Sequence, residues 1–501
     1  MRFLKPSENT KLYEALLLIL FIIISFIFFI NMVWFPSGDD PAVYITATNK
    51  IVQDQTTSFI MPFYPQVNQG YNGPIFTPLL ISIISLITSI SPLNLYLYFL
   101  LFLFCLSSLS LFLLLRYNFK DKVIILATFF FILSRFGAET YWGGNYNQIF
   151  GLFLLPLLIL YYQRFLDKIS INAGLLLFLL FITIFFYHTL TFLLTFLIMI
   201  SFIFVLLNRY KKKVLYVIYP LIILIYLSCL FIFRNYLKHF RISLEWLGLG
   251  KVLSSSGGFP ILLLLFLLFG LFFILKEKYY LLVSWALLSL LFSQSYLLNI
   301  PFYSWRFNPF FIQSIIPFLA GGIILLNNRI KYKTNKTLFI FFIVTIFLVS
   351  QIGTISEYKK VYLEYNPPLQ PPVIEKSEYD AFIWMKYNLP NDSIVLAHKK
   401  WGIYIPAIAQ RSVVLEDFQG VWEGDPIYNF SLEASKIFNS TSLEANELSC
   451  QFNISHVFIG SGTTIYAQYN SSKNEIFENN SGFKKIYEKD KSIIYEVKCR
   501  K

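Results

Sequence analysis

The chain has 501 residues, of which 56% are hydrophobic and 19% aromatic while only 14% are charged. A soluble domain carries about 25% charge, so a wholly soluble fold is excluded. The net charge of +13 does not point to nucleic acid: the basic clusters at 1–11, 116–122, 163–168, 208–213, 276–278 and 327–336 lie between apolar runs, where short cytoplasmic loops fall under the positive-inside rule.

The pattern predicts a polytopic α-helical membrane protein with about 11–12 transmembrane helices and a C-terminal extracytoplasmic α/β domain. The first apolar run, about 12–34, has no small-residue cleavage site behind it and reads as a retained helix with its N-terminus cytoplasmic. A polar outer loop, 35–75, follows. The segment 76–90 is short: it gives eleven spans if it lies at the interface, twelve if it crosses. Further helices are expected near 93–115, 122–135, 147–164, 171–187, 189–208, 214–234, 259–276, 279–297, 308–327 and 337–354. The run 171–208 is too long for one helix, and a tight hairpin at Tyr187–His188–Thr189 places His188 near the outer surface.

Three domains result: a membrane domain over 1–355, a linker over 356–374 containing Pro367–Pro368 and Pro371–Pro372, and an outer domain over 375–501. The last holds strand-like runs at 393–397, 412–416 and 456–460, helical patterns at 375–389 and 432–449, and a final hairpin. Alternating strands and helices predict a small parallel sheet. Six Asn-x-Ser/Thr sequons, at Asn391, Asn429, Asn439, Asn453, Asn470 and Asn479, agree with an outside location in the cell membrane's topology. Cys105 and Cys229 lie in apolar helices. Cys450 and Cys499 lie in the outer domain, where a disulfide between them is permitted.

Polar chemistry concentrates in the outer loops. Asp39 and Asp40 follow Gly38 and precede Pro41, which suits a first helical turn. Acids there cap a helix and meet its dipole; equally, carboxylates at the membrane surface can act as a general base, or as ligands of a divalent cation such as Mg or Mn. The second outer loop crowds Arg135, Glu139, Tyr141, Trp142, Asn145 and Asn147 beside paired glycines, more than an aromatic anchoring belt requires. Arg306 stands where a helix re-enters the membrane, and it reads either as a snorkelling side chain or as a clamp on a lipid phosphate. His188 is a third candidate, and Arg234, Lys238, His239 and Arg241 form a basic outer loop. No P-loop or dinucleotide fingerprint appears in a suitable context. The helices also lack the buried charge that marks ion-coupled transport.

Together these features resemble the GT-C superfamily of membrane glycosyltransferases. The likeness covers nearly the whole chain at the level of architecture. Gly38–Asp39–Asp40–Pro41 matches an acidic motif after the first helix, GPIFTPLL (73–80) a proline-containing segment, and Arg306 a late arginine before a Pro-containing helix. The tail is similar to the soluble domain of archaeal oligosaccharyltransferase catalytic subunits, at WMKYNLPNDSIVLAHKKWGIYIPAIAQR (384–411); protein O-mannosyltransferases are further relatives of this type. Where the oligosaccharyltransferases carry WWDYG, this chain has Lys400–Trp401–Gly402–Ile403–Tyr404 without the Asp, which leaves the acceptor unassigned. The resemblance implies an inverting transfer of sugar from a polyprenyl-phosphate donor in the membrane lipid to a glycan or protein acceptor. Asp39 or Asp40 would activate the acceptor, and Arg306, helped by Arg135 or His188, would stabilise charge on the phosphate. The alternative is a non-catalytic protein of the same fold whose outer domain binds glycan or a protein partner.

Overall fold

The computed structural model describes residues 16–27, 39–65, 71, 75–119, 121, 124–134, 140–141, 145–210, 261–295, 304–330, 332, 334–343, 345, 374–398, 402–416, 426–460, 475–478 and 481–499. The expected helix at 214–234, most of the linker, and the basic loop at 234–241 lie outside these residues. In chain order the helices are α1 (Leu16–Ile27), α2 (Asp39–Asp54), α3 (Phe76–Thr88), α4 (Pro92–Asn118, with a π-helical turn at Leu95–Phe99), α5 (Ile124–Leu133), α6 (Tyr146–Asp167), α7 (Ile171–Tyr187), α8 (Thr189–Tyr210), α9 (Ile261–Lys276), α10 (Tyr280–Ser293), α11 (Asn308–Arg329) and α12 (Thr334–Ile343). The C-terminal region adds α13 (Lys376–Asn388), β1 (Ile394–His398), α14 (Ile405–Ile408), β2 (Ser412–Glu416), α15 (Pro426–Asn439), α16 (Ser442–Gln451), β3 (His456–Ile459), α17 (Glu475–Glu478), β4 (Phe483–Lys489) and β5 (Ser492–Val497).

The chain divides into two compact units: Met1–Met32, Leu100–Tyr141 and Asn145–Glu364; and Val33–Phe99, Trp142–Gly144 and Tyr365–Lys501. The first unit is helical and apolar. Among the described residues, α4, α6 and α11 are long and apolar enough to cross a membrane. Large apolar side chains face outward, Phe178 on α7 and Phe272 on α9 being 59% and 62% exposed. Such faces suit lipid rather than water, and the protein is a membrane protein. The expected hairpin is present: α7 ends at Tyr187, α8 begins at Thr189, and His188 turns the chain.

Two packing details explain particular residues. A Cβ on Gly270 would stand 1.7 Å from the Phe318 carbonyl oxygen, and one on Gly322 2.0 Å from that of Phe266, so only glycine lets α9 and α11 approach so closely. In α6, Pro156 has no N–H to give the Leu152 carbonyl one turn back. The buried Gln313 of α11 donates to that carbonyl instead, at 2.7 Å. An apolar interior leaves no water to do so.

The second unit is built on a five-stranded sheet in the order β2-β1-β3-β5-β4. The three strand runs expected from the sequence pair in parallel, and the terminal hairpin adds two antiparallel strands through β5 beside β3. The pattern at 432–449 is two helices rather than one. The chain breaks at Ser440, and Thr441 caps α16 by accepting from the Glu444 N–H. Asn439, Ser440 and Thr441 in succession favour such a cap over a continuous helix. Cys450 and Cys499 form a disulfide.

The first outer loop belongs to this unit. Val413 of β2 donates to the Pro62 carbonyl at 2.9 Å, and Tyr64 N–H donates back to the Val413 carbonyl at 2.8 Å, so residues 62–64 cover the open edge of the sheet. The Tyr64 hydroxyl adds a bond to the Leu415 carbonyl at 2.6 Å. Helix α2 lies between α3 and α14. Its Thr46 and Thr48 hydroxyls donate to carbonyls four residues back, and Asn49 donates to the Ala407 carbonyl at 2.8 Å. Helix α3 has 13 residues, about 20 Å at 1.5 Å per residue, against about 30 Å of hydrocarbon.

Candidate functional site

The acidic end lies at the start of α2. Asp39 and Asp40 open the helix, where exposed N–H groups and the dipole favour negative charge. Asp40 is half-buried and belongs to a group of phenols: Tyr71 feels the charge of both Tyr44 and Asp40. Burial first, then those two neighbours, pushes the Tyr71 hydroxyl above its ordinary pKa, so it stays protonated, a donor able to serve a carboxylate. Phe59 stacks on Tyr71 at 5.8 Å. Tyr96, fully buried, bonds through its hydroxyl to Thr48 Oγ1 at 3.0 Å, and that hydroxyl also donates to the Tyr44 carbonyl at 3.4 Å. Only the backbone of Asp39 is described.

The basic end belongs to the helical unit. Arg306, half-buried, sits in a 3-10 turn (Ser304–Phe307) that runs directly into α11. Gln148 of α6, itself buried, donates through Nε2 to the Arg306 carbonyl and so fixes the backbone there. Next along, Asn308 is fully buried, yet among the described residues neither atom of its carboxamide has a hydrogen-bond partner. Buried amides are nearly always satisfied, and an exception calls for an explanation.

His188 is also buried. Its Nδ1 accepts from the Thr191 backbone N–H at 3.2 Å and lies 2.6 Å from the Thr191 hydroxyl. An accepting Nδ1 carries no proton, which assigns the neutral ring with its proton on Nε2. His188 therefore offers a neutral N–H donor, with its ring stacked on Phe310 at 6.3 Å.

Of the second loop, Arg135, Glu139 and Trp142 lie outside the described residues. Tyr141 is buried and stacks on Phe104 at 6.3 Å, and Asn145 begins α6 as its half-buried N-cap. Neighbours of these candidates not anticipated from sequence are Gln148, Thr191 and Asn308 in the helical unit and the Tyr44–Tyr71–Tyr96 group beside Asp40. Asn308–Pro309 looks like an ordinary cap before Pro, but Phe307 takes the cap position and leaves Asn308 inside the helix.

The surviving letters of the tail motif have packing roles. A Cβ on Gly402 would lie 2.4 Å from Leu415 Cδ2 and 2.6 Å from Ala397 Cβ, and Tyr404 is fully buried. Among the described residues no three His, Cys, Asp or Glu side chains gather into a metal site. Among the described side chains there, Asp40 is one carboxylate among phenols, a weaker donor set than Mg or Mn usually takes.

No family model matches the chain, and no curated protein matches it. Solved structures do. The apo oligosaccharyltransferase of Archaeoglobus fulgidus aligns with a TM-score of 0.59 and 16% identity, over 90% of this chain and 70% of its own. The oligosaccharyltransferase AglB from Archaeoglobus fulgidus, in complex with an inhibitory peptide and a dolichol-phosphate, aligns at 0.57 over the same shares, again with 16% identity. The arabinofuranosyltransferase AftD from Mycobacteria aligns at 0.57 with 13% identity, over 96% of this chain and 40% of its own length. The chain therefore has the fold of the GT-C glycosyltransferases.

Proposed function

We propose that the protein is an inverting glycosyltransferase that takes sugar from a polyprenyl-phosphate donor and passes it to a glycan or protein acceptor at the outer face of the membrane. The shared fold, over 90% of the chain, supports an enzyme of this kind, as does the dolichol-phosphate held by the archaeal protein. The observation that carries the reading is at α11: the Arg306 cation stands directly before the helix, and in its first turn the buried Asn308 carboxamide has no partner among the described residues, a start that suits a lipid phosphate.

In this reading Asp40, or Asp39, accepts the proton of the attacking acceptor group. The acceptor atom bonds to the anomeric carbon as the bond from that carbon to the phosphate oxygen breaks. Arg306 and the Asn308 carboxamide stabilise the charge that collects on the departing phosphate, and the His188 Nε2–H is a further neutral donor. Arg135 is a further cation for the phosphate, and Glu139, Tyr141, Trp142 and Asn145 contribute to binding the substrates. The domain boundaries at 355 and 375, and the outer placement of residues 375–501, complete the proposal.

The test is sugar transfer in membranes that carry Asp39→Ala and Asp40→Ala together, with protein abundance followed in parallel. Transfer is expected to fall to background at normal abundance. Normal surface glycans in the double variant would overturn the enzyme in favour of a glycan- or partner-binding protein of the same fold.

A further inference from the structure

The sequons are distributed unevenly. Residues 1–374 contain 18 asparagines, and one of them, Asn335, begins a sequon. Residues 375–501 contain 10 asparagines, and six begin one. Ser and Thr fill 17 of those 127 positions, so roughly one asparagine in ten should match by chance. The exception in the first part, Asn335, lies in the first turn of α12, at the end of the basic stretch 327–336, of the kind that stays inside.

The fold brings two of the six together. Asn391 stands in the turn before β1, and Asn453 in the turn before β3. Those strands are parallel neighbours, with Val395 paired to His456, so both asparagines lie at the N-terminal edge of the sheet. Strands pair about 4.8 Å apart. Both side chains are exposed, and neither carboxamide bonds to the described protein. Asn439, also exposed, differs: its amide donates to the Ser435 carbonyl at 2.8 Å. The opposite edge, at the C-terminal ends of the strands, is where parallel sheets place their ligands, and here it leads into the turn at Gly402.

We infer that Asn391 and Asn453 carry N-linked glycans at the N-terminal edge of the sheet. This rests on the outer placement of residues 375–501. In the step, asparagine Nδ2 bonds to the anomeric carbon of an oligosaccharide, the bond from that carbon to a polyprenyl phosphate or pyrophosphate breaks, and one amide proton leaves. A membrane oligosaccharyltransferase and its lipid-linked oligosaccharide are the co-reactants.

The sequon hydroxyls fix the timing. Ser393 is buried, and Ser455 Oγ accepts from the Ile394 N–H at 2.9 Å and donates to its carbonyl at 3.0 Å. Once β1 and β3 pair, neither hydroxyl is available, so transfer precedes folding of the sheet.

The experiment is glycopeptide mass spectrometry on the full chain purified from its own membranes. Peptides holding Asn391 and Asn453 are expected to carry a glycan, and the Asn335 peptide none. Asn391→Gln and Asn453→Asp should each remove one glycan mass; Asp keeps the left-handed backbone at position 453, where φ is 55°. Unmodified peptides at both positions, in a chain whose tail is cleaved by protease on intact cells, would overturn this inference alone. A tail protected from protease, or a glycan on Asn335, would overturn the sidedness and the inference with it.

Discussion

The starts of α2 and α11 make an instructive pair. Both are helix N-termini with charged residues, but the signs are opposite. At α2 the charges are carboxylates, which the dipole stabilises by about 0.3–1 kcal/mol. A purely structural account therefore suffices for Asp39 and Asp40. At α11 the charge is a guanidinium directly ahead of the helix, which the same dipole disfavours, and the next polar residue is the unsatisfied Asn308. An anion bound there would offset the unfavourable dipole and give the Asn308 carboxamide a partner. The basic end is thus the more diagnostic of a ligand, although the acidic end is easier to see in the sequence.

The largest effect expected bears on what supports the acidic end. Helix α2 is tied to the C-terminal residues through Asn49 and Ala407, in a unit that contains the Cys450–Cys499 disulfide. The bridge spans 49 residues, and its removal should cost about 4 kcal/mol of that unit's stability by the chain-entropy model. Chemical unfolding of Cys450→Ser/Cys499→Ser, followed by fluorescence, checks this; an unchanged midpoint would detach the disulfide from the support of α2. Next, Arg306→Gln should lower transfer by about 10²–10³-fold without lowering the melting temperature. A melting temperature several degrees lower would make Arg306 a structural residue and erase the contrast between the two helix starts.

Asn308→Ala should raise stability by about 1 kcal/mol, since it removes a buried amide with no partner, while weakening donor binding several-fold. Loss of stability here would show that the amide is satisfied in the folded protein. The smallest effect concerns pH. Burial, opposed in part by Glu496, lowers the pKa of His456 from its ordinary 6.5. The unfolded chain then binds the proton more readily than the folded one, so this contribution is complete above pH 6.5 and is lost as pH falls through the lower folded value. Unfolding midpoints between pH 7.5 and 5 should fall for the wild type and flatten in His456→Gln.

Element type was legible where periodicity was strong. The parallel strands and the hairpin at 171–208 follow from alternation, run length and loop charge. The edge formed by residues 62–64 against Val413 was not legible, because it joins positions some 350 apart through backbone atoms that no side-chain pattern announces. The two-helix break at Ser440 was masked by a continuous helical pattern. Asp39, Asp40 and Arg306 stand out because charge is scarce in so apolar a chain. Gln148 and Asn308 look like common amides, and only their burial and partners mark them. Gly402 and Tyr404 look like motif remnants, but close packing accounts for both.

The central claim assigns catalysis to one helix start and phosphate binding to the other. The most direct measurement is photo-crosslinking of a polyprenyl-phosphate analogue to the purified protein in lipid, alongside transfer by the same samples. Asp40→Asn should bind the lipid like the wild type and fail to transfer, while Arg306→Gln should lose at least about tenfold in lipid binding, the scale of one lost charge-assisted contact. Undiminished crosslinking of Arg306→Gln would contradict the account.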